Sequence, residues 1–239
     1  VSFVHGKNTS VYLGAIDLSG YLDSMDLSAD ADFADTTTFK ATWKAGLVGV
    51  VGAKVDYTGL YDPGEVQLGQ LITSETPNVL TYCPGGDAAI GDRARLVNAR
   101  ETQWSNGAPV GGVVNIKGSF TSDGIVGIGD VLHPLGEDTN TTTGAEKDDA
   151  AATTTAWTAH LHVILVDGGS WVVKLQDAAS SGSYSDLTGG AFTAATGATA
   201  ERLQGAAGST LRRYVRYVAT RTGGSAGDGI TFALAYSRN

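Results

Sequence analysis

The sequence predicts an all-β protein with one short helix. Three observations carry that reading. Glycine is abundant, at 33 of 239 residues, and turn clusters such as DGG at 167–169, TGG at 188–190 and GGSAGDG at 223–229 recur at short intervals. Between the clusters lie short runs in which apolar and polar residues alternate, the two-residue period of a strand. Patterns of helical period are almost absent; residues 65–74 carry the one candidate, with Glu65 in the first turn and Leu68, Leu71 and Ile72 on a single stripe.

Taken in order, residues 10–16 form a first short strand and Gly20 marks the entry to a long one, from Tyr21 to a threonine-rich bend ending at Phe39. Strand side chains alternate between faces, so Tyr21, Met25, Leu27, Ala29, Ala31 and Phe33 want a core, with Asp23 as the exception. Ser24, Asp26, Ser28, Asp30 and Asp32 share the other face, and the plainest reading of such a row of acids is a solvated surface. The following KATWKAGLVGVVGAK is too rich in glycine for a helix and too apolar for an ordinary solvated loop. It is expected to be a loop that lies against another surface or folds back on its own core. Strands follow at 54–61, 78–83, 94–104 and 113–121, with a hairpin tip at Gly107 and Pro109.

Residues 135–155 are polar, acidic and without period, as in a linker. The net charge is −7 over residues 1–134, −4 over 135–149 and +2 over 150–239. This asymmetry predicts a β domain at 1–134, an acidic linker at 135–149 and a β-sandwich of jelly-roll or immunoglobulin-like type at 150–239. Strands in the last part are expected at 160–166, 171–176, 191–195, 211–220 and 230–236.

Composition excludes several classes. A net charge of −9 argues against a nucleic-acid grip or an anionic membrane surface. The lone Cys83 rules out an internal disulfide. VSFVHGKNTS lacks a basic region followed by an apolar stretch, so no signal peptide is expected, and no apolar run has membrane-spanning length.

Little chemistry is legible. Gly223 to Gly227 matches G-x-S-x-G formally, but a strand rather than a helix follows, so it reads as a hairpin turn. His160 and His162 share a strand face without the further ligands a metal needs. Asp30 and Asp32 stand roughly 7 Å apart, a glycosidase spacing, with nothing concave or aromatic implied around them. Trp157, Trp171, Tyr184, Tyr214 and Tyr217 suit either a sugar-stacking platform or a sandwich core. No catalytic residue, metal or cofactor is expected.

The stretches VHGKNTSVYLGAIDLSGYLDSMDLS, ADTTTF, AKVDYTGLYDPGE and VVNIKGSFTSDG, with the Trp43 loop among them, resemble the major tail tube protein of long flexible-tailed bacteriophages. The resemblance covers roughly the first 130 residues. AHLHVILVDGGSWVVKLQDAASSGSYSDL and RRYVRY resemble the additional C-terminal sandwich of some members. The resemblance implies a virion protein assembled in the bacterial cytoplasm. Its partners are further copies in stacked hexameric rings, together with tail tip and tail terminator proteins. DNA passes through the lumen without specific binding, and no membrane is involved. Asp26, Asp30 and Asp32 become candidates for the lumen wall. Thr36, Thr37, Thr38, Phe39, Lys40, Trp43, Lys44, Leu47 and Val48 become candidates for contact with a neighbouring subunit or ring. The alternative is a carbohydrate-binding or adhesion module of two sandwiches.

Overall fold

The computed structural model describes residues 5–39, 42–62, 68–69 and 71–238. Its strands, in chain order, are β1 (Ser10–Leu13), β2 (Ile16–Asp17), β3 (Leu22–Asp35), β4 (Gly46–Leu60), β5 (Asn78–Cys83), β6 (Arg93–Gly107), β7 (Asn115–Ser122) and β8 (Gly127–Asp138). They continue as β9 (Thr142–Thr143), β10 (Lys147–Asp148), β11 (Trp157–Val166), β12 (Ser170–Ala178), β13 (Ser185–Ala191), β14 (Thr199–Gln204), β15 (Tyr214–Thr222) and β16 (Ile230–Arg238). The protein is all-β and its strands pair antiparallel. Of the helix expected at 65–74, residues 65–67 and 70 lie outside the described residues; in the rest, Leu68 and Gly69 form a turn and Leu71–Thr73 a single 3-10 turn in place of an α-helix.

The chain divides into two units, and the division is not the one expected. One unit takes Val1–Gly20, Asn78–Asn98 and Val126–Asn239; the other takes Tyr21–Pro77 and Ala99–Ile125. The expected boundary at 134 falls inside β8, which pairs with β16 from Gly129↔Ser237 to Asp138↔Ile230. Residues 135–149 are not a free linker: β9 and β10 lie along β15. The charge asymmetry has a local cause instead. Asp148 pairs with Arg213 at 2.7 Å and Asp149 with Arg238 at 2.7 Å, so these two acids of the segment are partners of bases that follow residue 150.

In the first unit, one sheet runs β14-β11-β16-β8-β6-β5-β1-β2 and a second runs β10-β15-β12-β13. β11 is buried on both faces. Trp157, Ala159, Leu161 and Val163 pack with Trp171, Val173 and Leu175 of β12 and Val215 and Tyr217 of β15. The tryptophans and Tyr217 are therefore core, not a stacking platform. On the opposite face His160 and His162 meet Thr81 of β5. His162 Nδ1 lies 2.7 Å from the Gly14 carbonyl, which can only accept, so that nitrogen carries the proton. Nε2 then accepts from the Thr81 hydroxyl at 2.7 Å, and Thr81 Oγ1 accepts from His160 Nδ1 at 3.1 Å. Burial holds His162 down to about 4. Burial, then the charges of His162 and Arg202, holds His160 well below the ordinary range. The expected strand at 191–195 is absent; β13 ends at Ala191 and Ala195 contributes a single bridge to Trp171.

In the second unit, a four-stranded sheet runs β3-β4-β7-β6. Val55 and Tyr57 of β4 and Ile116 and Phe120 of β7 make its buried face, with the rings of Tyr57 and Phe120 5.3 Å apart. Glu101 of β6 is also buried there. It accepts from the Tyr57 hydroxyl at 2.8 Å and from the Gly69 amide at 2.9 Å, which fixes the turn at Leu68 and Gly69 to the sheet. Burial pushes the Glu101 carboxyl up, while Tyr57 and the backbone amides of Gly69, Leu71 and Ile72 act to hold it ionised.

Candidate assembly surface

Two-residue alternation builds β3 and β4 into one long hairpin. Leu27 stands opposite Val55 and Ala29 opposite Ala53 on the apolar side. β7 pairs with β4 only over Lys54 to Leu60, and the Ser122 hydroxyl of β7 reaches the Ala53 amide, so among the described strands Gly46 to Gly52 have β3 alone beside them. The apolar side nevertheless continues outward as Ala31 opposite Val51, then Phe33, with Val51 and Phe33 both 63% exposed. Leu47, Phe39 and Trp43 are exposed as well, Trp43 at 85%. Such a patch is unusual for a surface that faces only water.

The segment expected to be a loop is thus largely the second strand of a hairpin. From Gly46 onward its valines and glycines pair with β3, the register shifting between Ala31 and Phe33. The bend that joins the strands is closed by short-range bonds. Thr36 N–H donates to the Ala45 carbonyl at 2.9 Å, Thr37 N–H to the Asp35 carboxylate at 2.8 Å, and Ala45 N–H to the Thr37 hydroxyl at 3.0 Å. The Thr37 bonds hold Asp35 below its ordinary range. Of the nine hairpin candidates, Thr36, Thr37, Thr38, Phe39, Trp43, Lys44 and Leu47 are exposed on this arm. Lys40 lies outside the described residues, as does the Val48 side chain.

The three aspartates are exposed on β3. Asp26 stands opposite Asp56 and Asp30 opposite Gly52, in step with Ser24 opposite Thr58 and Ser28 opposite Lys54. Asp32 falls where the register shifts. The face is not purely acidic: Lys54 reaches Asp56 at 2.7 Å, and Lys117 lies opposite Thr58 on β7. Lys54 and the Ser119 hydroxyl hold Asp56 below its ordinary range. Reading β3 by itself hides these cross-strand cations. Glu101 also escapes sequence reading, since nothing in ARETQW separates it from an exposed strand acid.

No group of three or more His, Cys, Asp or Glu residues suited to a metal ion occurs among the described residues. No helix among them is long and apolar enough to cross a membrane.

No protein-family model matches the sequence, and no curated protein does. Solved structures of tail and tube assemblies are similar to it over about half its length. A chain of the virion of a native gene transfer agent particle aligns over 53% of this chain and 98% of its own, at 15% identity and a TM-score of 0.42. A chain from the tail of an empty gene transfer agent particle, with C6 symmetry, aligns over 53% and 98%, at 15% identity and 0.43. A chain of the sheath–tube complex of an extracellular contractile injection system, in its extended state, aligns over 53% and 92%, at 14% identity and 0.40.

Proposed function

We propose that this chain is a structural subunit of a bacteriophage-type tail tube. The observation that carries the reading is the β3–β4 hairpin, whose apolar side runs past the end of β7 and leaves Phe33 and Val51 in water, with Leu47 exposed on the other face and Trp43 exposed in the bend. Covering a large apolar side chain stabilises by about 1.5–3 kcal/mol, so a second copy seated on the arm gains what the isolated chain forgoes. β3 pairs only with β4 among the described strands, which leaves its other edge for a strand of the next copy. Closing such sheets into a ring removes their edges.

The sequence resemblance supplies the finer reading. Six copies form a ring, rings stack into a tube within the virion tail, and tail tip and terminator proteins cap it after assembly in the host cytoplasm. Asp26, Asp30 and Asp32 face the lumen. An acidic wall offers DNA no phosphate-binding site, so the duplex passes without being held. The role is mechanical, and no catalytic step is assigned. Electron microscopy of the purified chain over a concentration series tests this: rings or tubes are expected, and a monomer at every concentration contradicts it.

A further inference from the structure

The second unit carries a further exposed apolar group, at the opposite end of its sheet from the arm. It is built on the turn between β6 and β7. From Ala108 to Val114 the sequence is APVGGVV, without a polar side chain, whereas turns between strands ordinarily carry polar residues. The turn is closed: the Gly112 N–H donates to the Pro109 carbonyl at 3.1 Å. Gly111, in the third position, has a φ of 84°, which favours glycine there. Val110 takes the second position and is fully exposed, and Val113 is 66% exposed. The Tyr61 N–H donates to the Val114 carbonyl at 3.0 Å, so the end of β4 lies beside the turn and adds the exposed Leu60 and Tyr61. A fixed turn thus presents valine to water where a polar residue would serve.

β4 joins the two groups. The arm is at its Gly46 end and the turn at its Leu60 end, and its 15 residues span about 45 Å. One chain therefore cannot lay its own arm on its own turn. Contact between two unlike patches is heterologous, and patches at opposite ends of one body do not close on a pair: each pair keeps one arm and one turn free for further copies. We infer that the arm of one copy seats on the β6–β7 turn of the next, with Phe33, Val51 and Trp43 covering Val110 and Val113. The inference rests on the tube reading and names the surface that receives the arm. It also gives the stack a direction, with free arms at one end and free turns at the other.

The test crosslinks assembled full-length chains with a short bismaleimide. Lys44→Cys places a thiol on the arm and Ala108→Cys places one beside the turn, both at exposed positions, while the native Cys83 is buried. A chain carrying both substitutions should give a ladder of covalent multimers on a denaturing gel, and neither single variant should crosslink. In parallel, Val110→Ser with Val113→Ser should raise the concentration needed for assembly at least about tenfold, as the loss of a buried apolar anchor does, and leave the circular dichroism of the monomer unchanged. Dimers from Lys44→Cys alone mean that arm meets arm, and dimers from Ala108→Cys alone that turn meets turn; either overturns the inference. Tubes of the double cysteine variant that give no ladder, or a serine variant that assembles at the wild-type concentration, overturn it as well and leave the tube reading standing. A wild type that stays monomeric at every concentration overturns both.

Discussion

The Phe33 ring lies across Gly46 on the neighbouring strand, so closely that a methyl group on Gly46 would overlap it. Phe33 is nevertheless 63% exposed, so the glycine seats one side of the ring while the other remains open. Cross-strand pairs of this kind contribute roughly 0.2–1 kcal/mol. Gly46→Val should displace the ring and loosen the arm while the sheet of the second unit stays folded. The reporter is the Thr36 amide, which closes the bend on Ala45. Its hydrogen exchange should quicken about threefold to fivefold; unaltered exchange would show that the Phe33–Gly46 contact does not hold the arm.

Glu101 is the second test. Removing its carboxylate leaves the Tyr57 hydroxyl and the Gly69 amide without an acceptor. Glu101→Ala should lower stability by about 2–3 kcal/mol. Glu101→Gln keeps a carbonyl oxygen in place and should lose about half as much. Urea midpoints of the two variants decide; equal losses would mean that volume, not the hydrogen bonds, is what the site requires.

The buried histidines set a pH dependence. His162 is held down to about 4 against an ordinary 6.5, and His160 is lowered too. The folded protein therefore keeps both neutral while the unfolded chain takes up protons. The stabilisation is complete above pH 6.5, declines as pH falls towards 4, and changes no further for His162 below that. For His162 the loss amounts to roughly 3 kcal/mol. The slope of the urea midpoint between pH 7 and 4 should be shallower in His162→Gln than in the wild type. Identical slopes would exclude the pair as its source.

Much of the fold is legible from residue pattern alone, because a half-buried strand writes its two faces into sequence. β3 and β7 follow alternation directly. The failures share a cause. β11 is buried on both faces, so its histidines look like surface residues until Thr81, far off in sequence, is seen to satisfy them. The acids at 148 and 149 look like a linker until Arg213 and Arg238 are placed on them. Gly46 to Ala53 look like a loop because nothing local reveals that β3 pairs with them. In each case the missing information is a long-range partner. For the candidate surface, the apolar character of 36–52 was legible and its hairpin geometry was not.

The charge on β3 has its own consequence. Asp26→Lys, Asp30→Lys and Asp32→Lys together replace three exposed carboxylates without touching the apolar face. On the tube reading, six copies then line the channel with cations that release counterions from DNA. Ejection should become slow and strongly salt-dependent. Ejection at the wild-type rate from tubes of normal shape would return these aspartates to an ordinary solvated face.

The claim on which the account rests is that the hairpin arm is covered by another copy, with Trp43 as its anchor. The direct measurement is sedimentation velocity of the wild type and Trp43→Ala, with negative-stain images of the same samples. Trp43 is 85% exposed in the single chain, so its loss should leave the circular dichroism and thermal midpoint of the monomer unchanged. Buried aromatic anchors carry about 2 kcal/mol or more at an interface, so the concentration needed for assembly should rise at least tenfold. Tubes of normal length from Trp43→Ala, formed at the wild-type concentration, would contradict the account.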